Sequence, residues 1–179
     1  MIFWTSVEGL LSDGLPMRLW IAEREGKIWR SSLHDDQYPC TEDEFLWRCE
    51  QSRDRQRADR ETLAHAAREV QEYFAGKRLT FGVPMEFHGT PFQVRVWREL
   101  TRIPFGSTKS YGEVAEAIGS PRAPRAVGGA NGCNHLPIFV PCHRVIASGG
   151  KLGGFTGGIG LKQRLLAHEA AVLGRRAAA

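Results

Sequence analysis

Residues 110–132 read SYGEVAEAIGSPRAPRAVGGANG. Ser110-Tyr111-Gly112-Glu113 is a capping box, in which a serine and a glutamate three residues later satisfy each other's free backbone N–H groups at a helix start. Tyr111, Val114, Ala115 and Ile118 then form one apolar stripe at helical spacing, and Gly119 ends the helix. Ser120 and Pro121 follow with N-cap and first-turn chemistry, so the spacing predicts a second helix starting at Pro121. Two helices separated by so short a turn make a helix-turn-helix, which decides the fold of this half of the chain.

The second helix is peculiar in composition. Gly128 and Gly129 each cost ~1 kcal/mol relative to alanine inside a helix, and Ala123, Ala126 and Ala130 add little bulk. Two readings stand. The small residues let the helix pack closely on a neighbouring element, or a smooth face carrying Arg122 and Arg125 enters a narrow groove such as the DNA minor groove, about 6 Å wide. Pro124 lies inside this expected helix and removes one N–H near its start.

Upstream, Thr90-Pro91-Phe92-Gln93 is another capping box with proline at the first helical position, and Phe92, Val96 and Leu100 line one face of its helix. Before Gly89 the pattern is that of a small α/β unit. MRLWIAE (17–23) and KIWRSS (27–32) flank the turn-forming Arg24-Glu25-Gly26 as a hairpin would. Leu63, Ala66, Ala67, Val70, Tyr73 and Phe74 recur at helical spacing up to Gly76. The stretch 41–61, dense in both charges, reads as loop or a ragged helix start, and LTFGVPMEF (79–87) as an extended segment. These patterns predict two domains: residues 1–88, a small antiparallel sheet with a helix, and residues 89–179, mainly helical with a winged-helix-like helix-turn-helix.

Downstream comes VPCHRVIASGGKLGGFTGG, residues 140–158. A cysteine between proline and His-Arg could be a packed small hydrophobe, a disulfide half, a metal ligand or a nucleophile. The four cysteines allow disulfides only in an oxidising compartment, and with no C-x-x-C and no histidines at ligand spacing a metal site is not expected. For Cys142 that leaves packing or chemistry. A thiol attacks as the thiolate and needs a base or cation nearby; His143 is adjacent but would point away on a strand, so contact requires a turn or a bridging water, and Arg144 could add positive field. On the last helix, LKQRLLAHEAAVL, residues Leu161, Leu165, Leu166, Val172 and Leu173 form an apolar arc with Glu169 inside it. A carboxylate there needs a partner. Either it orients His143 to complete a nucleophile–base–carboxylate relay, or it sits at the edge of the stripe pairing with Lys162 or Arg164. GGKLGGFTGGIG (149–160) is too glycine-rich for helix or regular strand and reads as an active-site loop that offers N–H groups to a ligand.

Composition is that of an ordinary globular chain, 42% hydrophobic and 25% charged. No apolar run approaches the ~20 residues that span a bilayer, and MIFWTSVEGLLSDG has neither a basic n-region nor a small-residue cleavage site, so a cytoplasmic location is expected. After Glu116 there are eight Lys or Arg against one acid, a net +7; the remainder has sixteen against nineteen, a net −3. The basic part suits a polyanion such as nucleic acid, or is a solvated basic surface.

From about Phe92 to Glu169 the chain resembles the O6-alkylguanine-DNA alkyltransferases, the methylated-DNA–protein-cysteine methyltransferases. PCHRV, the RAVGGA helix, Asn134 and the LLAHE end occur in that family's order and spacing, whereas the N-terminal part resembles it only loosely. The resemblance implies single-turnover repair without a cofactor. The protein binds duplex DNA, rotates O6-alkylguanine out of the stack and takes the alkyl group irreversibly onto Cys142, with O4-alkylthymine as a second substrate. It implies that His143 acts through a water, Glu169 polarises it and Asn134 braces the turn. Tyr111 assists rotation and donates to the departing guanine, while Arg125 fills the gap in the stack. Arg122, Ala123, Ala126, Gly128 and Ser110 meet DNA. Val145, Phe155 and Thr156 line the pocket with Tyr111, and β-branched Thr156 narrows it. A zinc site borne by some relatives is not expected here, since no cysteine precedes Cys40. A monomer is expected, with cooperative assembly on DNA left open. A cysteine hydrolase and a lesion-binding module without transfer are the rival readings.

Overall fold

A computed structural model describes residues 2–37, 39–49, 55–57 and 61–178. The chain divides into two compact units, Met1–Glu86 and Phe87–Ala179.

The N-terminal unit is a sheet of order β3-β2-β1-β4, formed by β1 (Ile2–Leu10), β2 (Pro16–Arg24), β3 (Lys27–His34) and β4 (Arg55–Arg57). The first three strands run as an antiparallel meander, and β4 adds parallel to β1. Glu25 and Gly26, at φ 53° and 78°, make the two-residue turn between β2 and β3, whose left-handed backbone matches the strand twist. Central β2 is buried from Leu19 to Glu23, because helices cover both faces and alternation is lost. On one face Trp4, Trp20 and Ala22 pack against Phe45 of α1 (Glu42–Arg48). On the other, α2 (Glu61–Phe74) places Phe74 against Gly9, where a Cβ would clash with the ring.

Two expectations change in this unit. Within 41–61, Thr41 and Glu44 form a complete capping box that makes α1 a defined short helix, and Arg55–Arg57 is a strand; residues 50–54 and 58–60 lie outside the described residues. Residues 79–87 form no strand. Met85 makes one bridge to Ile28, while the amides of Gly82 and Val83 donate to the side chain of Glu69 instead of a ladder.

The C-terminal unit opens with α3 (Pro91–Leu100), capped as expected by Thr90 and Gln93. Its fully buried Trp97 donates to the Ala130 carbonyl at 2.8 Å. Strand β5 (Lys109–Ser110) leads into α4 (Tyr111–Ala117), with Ser110 and Glu113 forming the capping box. Gly119 at φ 71° closes α4 through bonds from Gly119 N to Glu116 O and from Ser120 N to Ala115 O, a Schellman ending. Helix α5 runs Pro124–Gly132, so it starts three residues later than expected. Pro124 has no N–H to donate backwards and disfavours helical backbone at Ala123, which sits at φ −114°. The proline is therefore the first helical residue and lies outside the helix interior. Strand β6 (Val145–Ile146) pairs in parallel with β5, and α6 (Ile159–Ala177) ends the unit. Residues 149–160 are less irregular than expected, since a 3-10 turn spans Ser148–Gly150 and α6 begins at Ile159. Leu173 is exposed, not part of the buried arc; Leu161, Leu165, Val172 and Glu169 are buried.

Candidate active site

Cys142, His143 and Arg144 form one 3-10 turn. The Cys142 amide donates to Val140 O at 2.8 Å and the Arg144 amide to Pro141 O at 3.0 Å. The strand argument that separates Cys142 from His143 therefore does not apply. Asparagines hold the turn: Asn134 Nδ2 donates to Val140 O at 2.9 Å, and buried Asn131 Nδ2 donates to Cys142 O at 3.4 Å.

Behind the turn, His143 and Glu169 are both fully buried, and His143 Nε2 lies 2.8 Å from Glu169 Oε1. Glu169 also accepts from Arg144 Nε and Nη2 at 3.0 and 2.9 Å and from the Gly106 amide at 2.8 Å. Although burial opposes ionisation, the hydrogen bonds and charges of His143 and Arg144 hold its carboxyl down at about 2. With Glu169 ionised, Nε2 carries the ring proton and donates. His143 Nδ1 is buried without a hydrogen-bond partner, an acceptor available for a proton. Burial, more than the opposing Glu169, lowers the His143 pKa, which favours the neutral base.

Cys142 is buried, and desolvation raises its thiol pKa; Asn134, the charge of Lys162 and local backbone N–H groups oppose that rise. Lys162 is fully buried and donates to Val145 O and Leu152 O at 2.6 and 2.5 Å, tying β6 to the glycine segment. It is not the partner of Glu169.

Tyr111, half-buried on α4, has its pKa raised by burial and then by the charge of Cys142. A Cβ on Gly153, at φ 68°, would sit 2.9 Å from the Tyr111 hydroxyl, so glycine there lets the loop lie against the phenol. Val145 is buried, Phe155 half-buried and Thr156 exposed. The Thr156 hydroxyl donates to Gly132 O at 3.0 Å and so fastens the loop to the end of α5.

On α5 the glycines are not set by close packing within the unit. A Cβ on Gly129 or Gly132 would meet nothing within 4 Å, and one on Gly128 would make only ordinary contact with Tyr111 at 3.8 Å. Packing inside the protein does not require glycine there. Arg122, Arg125 and Ala126 are exposed and Ala123 half-buried, while Val127 and Ala130 are buried inward. Ser110 is half-buried, its hydroxyl accepting from the Glu113 amide as the α4 cap.

Sequence reasoning missed Asn131, Gly106, the carbonyl contacts of Lys162 and the attachment of Arg144 to Glu169. Only Arg144 carried a signal, as a cation next to the proposed base. Among the described residues no group of three or more His, Cys, Asp or Glu is placed to hold a metal, and no helix is long and apolar enough to cross a membrane.

Residues 91–171 match the DNA-binding domain of 6-O-methylguanine DNA methyltransferase, and residues 18–87 match the ribonuclease-like domain of 6-O-methylguanine DNA methyltransferase. The chain is 45% identical over 157 residues to the constitutive methylated-DNA–protein-cysteine methyltransferase of Bacillus subtilis, covering 88% of each. It is similar to the crystal structure of Mycobacterium tuberculosis OGT in complex with DNA, at 35% identity and TM-score 0.75, covering 95% of this chain and 94% of that one. The O6-methylguanine-DNA methyltransferase of the archaeon Pyrococcus kodakaraensis gives 25% identity and TM-score 0.65 over 94% of this chain and 99% of that one.

Proposed function

This chain belongs to the 6-O-methylguanine DNA methyltransferase family, and from that membership we propose that it repairs DNA by moving the alkyl group from O6 of guanine to its own Cys142. The observation that carries the reading is the buried cluster of Cys142, His143 and Glu169, in which His143 presents an unpartnered Nδ1 and Glu169 fixes the other nitrogen. His143 takes the thiol proton through a bridging water. The sulfur then attacks the alkyl carbon, the C–O6 bond breaks and its electron pair passes to guanine. The guanine gains one proton for the one Cys142 lost, with Tyr111 as the donor at its side. The product is a thioether, which is not readily reversed, so each molecule acts once.

Delivery of the lesion follows from α5. Its exposed small residues admit it to the minor groove, where Arg122 meets phosphate and Arg125 occupies the space of the extruded nucleotide. Extrusion is needed because the O6-alkyl carbon cannot reach a buried thiol while the base is stacked. The Val145 carbonyl, Phe155 and the backbone near Thr156 bound the pocket for the flipped base. O4-alkylthymine is a second substrate, and the protein acts as a monomer in the cytoplasm.

The test is incubation with duplex DNA containing O6-methylguanine, followed by intact mass and a peptide map. One added methyl on the peptide bearing Cys142, absent from Cys142→Ser, supports transfer. An unmodified protein that still binds the lesion identifies a binding module, and repeated turnover without modification identifies a hydrolase.

A further inference from the structure

The relay has a fourth member. Arg144 contacts both oxygens of Glu169 through Nε, at 3.1 and 3.0 Å, and Oε1 through Nη2 at 2.9 Å. Its Nη1 donates to Ile103 O at 2.7 Å, and the guanidinium lies 5.5 Å from the centre of the Phe105 ring. The planar cation is thus fixed on three sides, and its side chain is only 6% exposed. Four N–H groups converge on one carboxylate: His143 Nε2, Arg144 Nε and Nη2, and Gly106 N.

We propose that Arg144 is a positioning residue that neutralises Glu169 and so keeps His143 an uncharged imidazole with its proton on Nε2 and Nδ1 open as acceptor. The physical need is specific. A bare carboxylate 2.8 Å from a buried imidazole pulls a second proton toward the ring, against the burial that lowers its pKa. An imidazolium has two donors and no acceptor, and could not take the Cys142 proton. With Arg144 in place the nearest anion is already paired, yet it still accepts the Nε2 proton and fixes the tautomer.

The other charged groups around the turn do not replace it. On α6, Lys162 is bonded to carbonyls and His168 is buried next to Glu169. On α3, buried Glu99 is held by Lys109 of β5 and by Arg102, and Arg95 and Arg98 are exposed. On α4, Tyr111 is uncharged at neutral pH with its pKa raised. Within the turn itself, Cys142 is the remaining titratable group.

This inference rests on His143 acting as the base for Cys142, and the experiment separates the two ideas. The pH dependence of transfer from free O6-benzylguanine is measured for wild type, Arg144→Lys, Arg144→Met and Arg144→Met with Glu169→Gln. Nitrogen NMR of the His143 ring is recorded in parallel. Wild type is expected to show the neutral ring protonated on Nε2 at pH 7. Arg144→Met is expected to move the acid limb of the rate profile upward by about one pH unit or more and to give imidazolium at pH 7. Arg144→Lys, which keeps the charge, should move the limb less, and the double variant should return it toward wild type. Imidazolium in the wild-type protein at pH 7 would overturn the proposal, and that measurement stands even if a variant does not fold. So would a folded Arg144→Met, or failing that Arg144→Lys, whose rate falls equally at every pH while the ring stays neutral, the signature of a purely structural role. Label on a residue other than Cys142 in wild type would instead overturn the underlying transfer reading.

Discussion

Two buried glutamates, one in each unit, are built from the same parts. Glu69 on α2 is 2% exposed, accepts from the Gly82 and Val83 amides, and lies 2.9 Å from Arg78 Nη1 and 3.3 Å from His65 Nε2. Glu169 on α6 is 0% exposed and accepts from Arg144, from the Gly106 amide and from His143. Each carboxylate thus draws a guanidinium, a glycine-containing loop and an imidazole onto a helix. The difference lies in the histidine. His65 sits one turn earlier on the same helix, nearly half exposed, and the cluster ends in solvent. His143 is 1% exposed, has an unpartnered Nδ1 and follows a buried cysteine. A cluster of this kind fastens a loop by default; the proposed relay differs in a buried imidazole with an open Nδ1, directly after a cysteine in the chain.

The sharpest way to break that comparison is to make the same change in both places. Glu169→Gln should slow transfer from free O6-benzylguanine at neutral pH by roughly 10²–10⁴-fold, with less loss at alkaline pH where the thiolate forms unaided. Glu69→Gln should leave transfer unchanged and lower stability in urea by ~1–3 kcal/mol. Equal effects on transfer would erase the distinction.

Acid offers a second contrast. Glu169 is held at about 2 against an ordinary value of 4.5, so its native contacts stabilise the fold above pH 4.5. That stability, of order 3 kcal/mol, is lost as pH falls from 4.5 toward 2. Hydrogen exchange of α6 should accelerate through this window in wild type and depend less on pH in Glu169→Gln.

Smaller effects test the DNA face. Arg125→Ala should slow repair in duplex DNA by roughly tenfold or more, since a planar cation filling the stack recovers part of an extrusion cost of a few kcal/mol. Transfer from the free base should be untouched, whereas Arg122→Ala should show a weaker loss that fades at low salt. Gly129→Ala meets no neighbour, so it should stabilise the protein by ~0.5–1 kcal/mol while weakening duplex binding. Unchanged binding, measured by titration of a fluorescent duplex, would remove that glycine from the interface.

The same contrast explains what could be read from the sequence. Capping boxes at Thr90 and Ser110 and the Gly119 ending are local signals and match the helices observed. Glu169 stood out because it is the only acid after Glu116 and falls on an apolar arc. By residue type Ser120-Pro121 is as good an N-terminus for α5 as Ala123-Pro124; the second proline decides the start sterically. Gly106, Asn131 and Ile103 act through backbone groups or side-chain amides that meet partners 63, 11 and 41 residues away, and no spacing rule encodes such contacts. Lys162, the alternative partner for Glu169 by helical spacing, is instead buried with two carbonyls satisfying its ammonium.

The most direct test weighs chemistry against access. Cys133, at the end of α5, is exposed, whereas Cys142 is buried. Duplex DNA carrying labelled O6-methylguanine, in excess over protein, should transfer one methyl per molecule and stop, with all label on Cys142. Continued turnover beyond that plateau, or label on Cys133, would contradict the account.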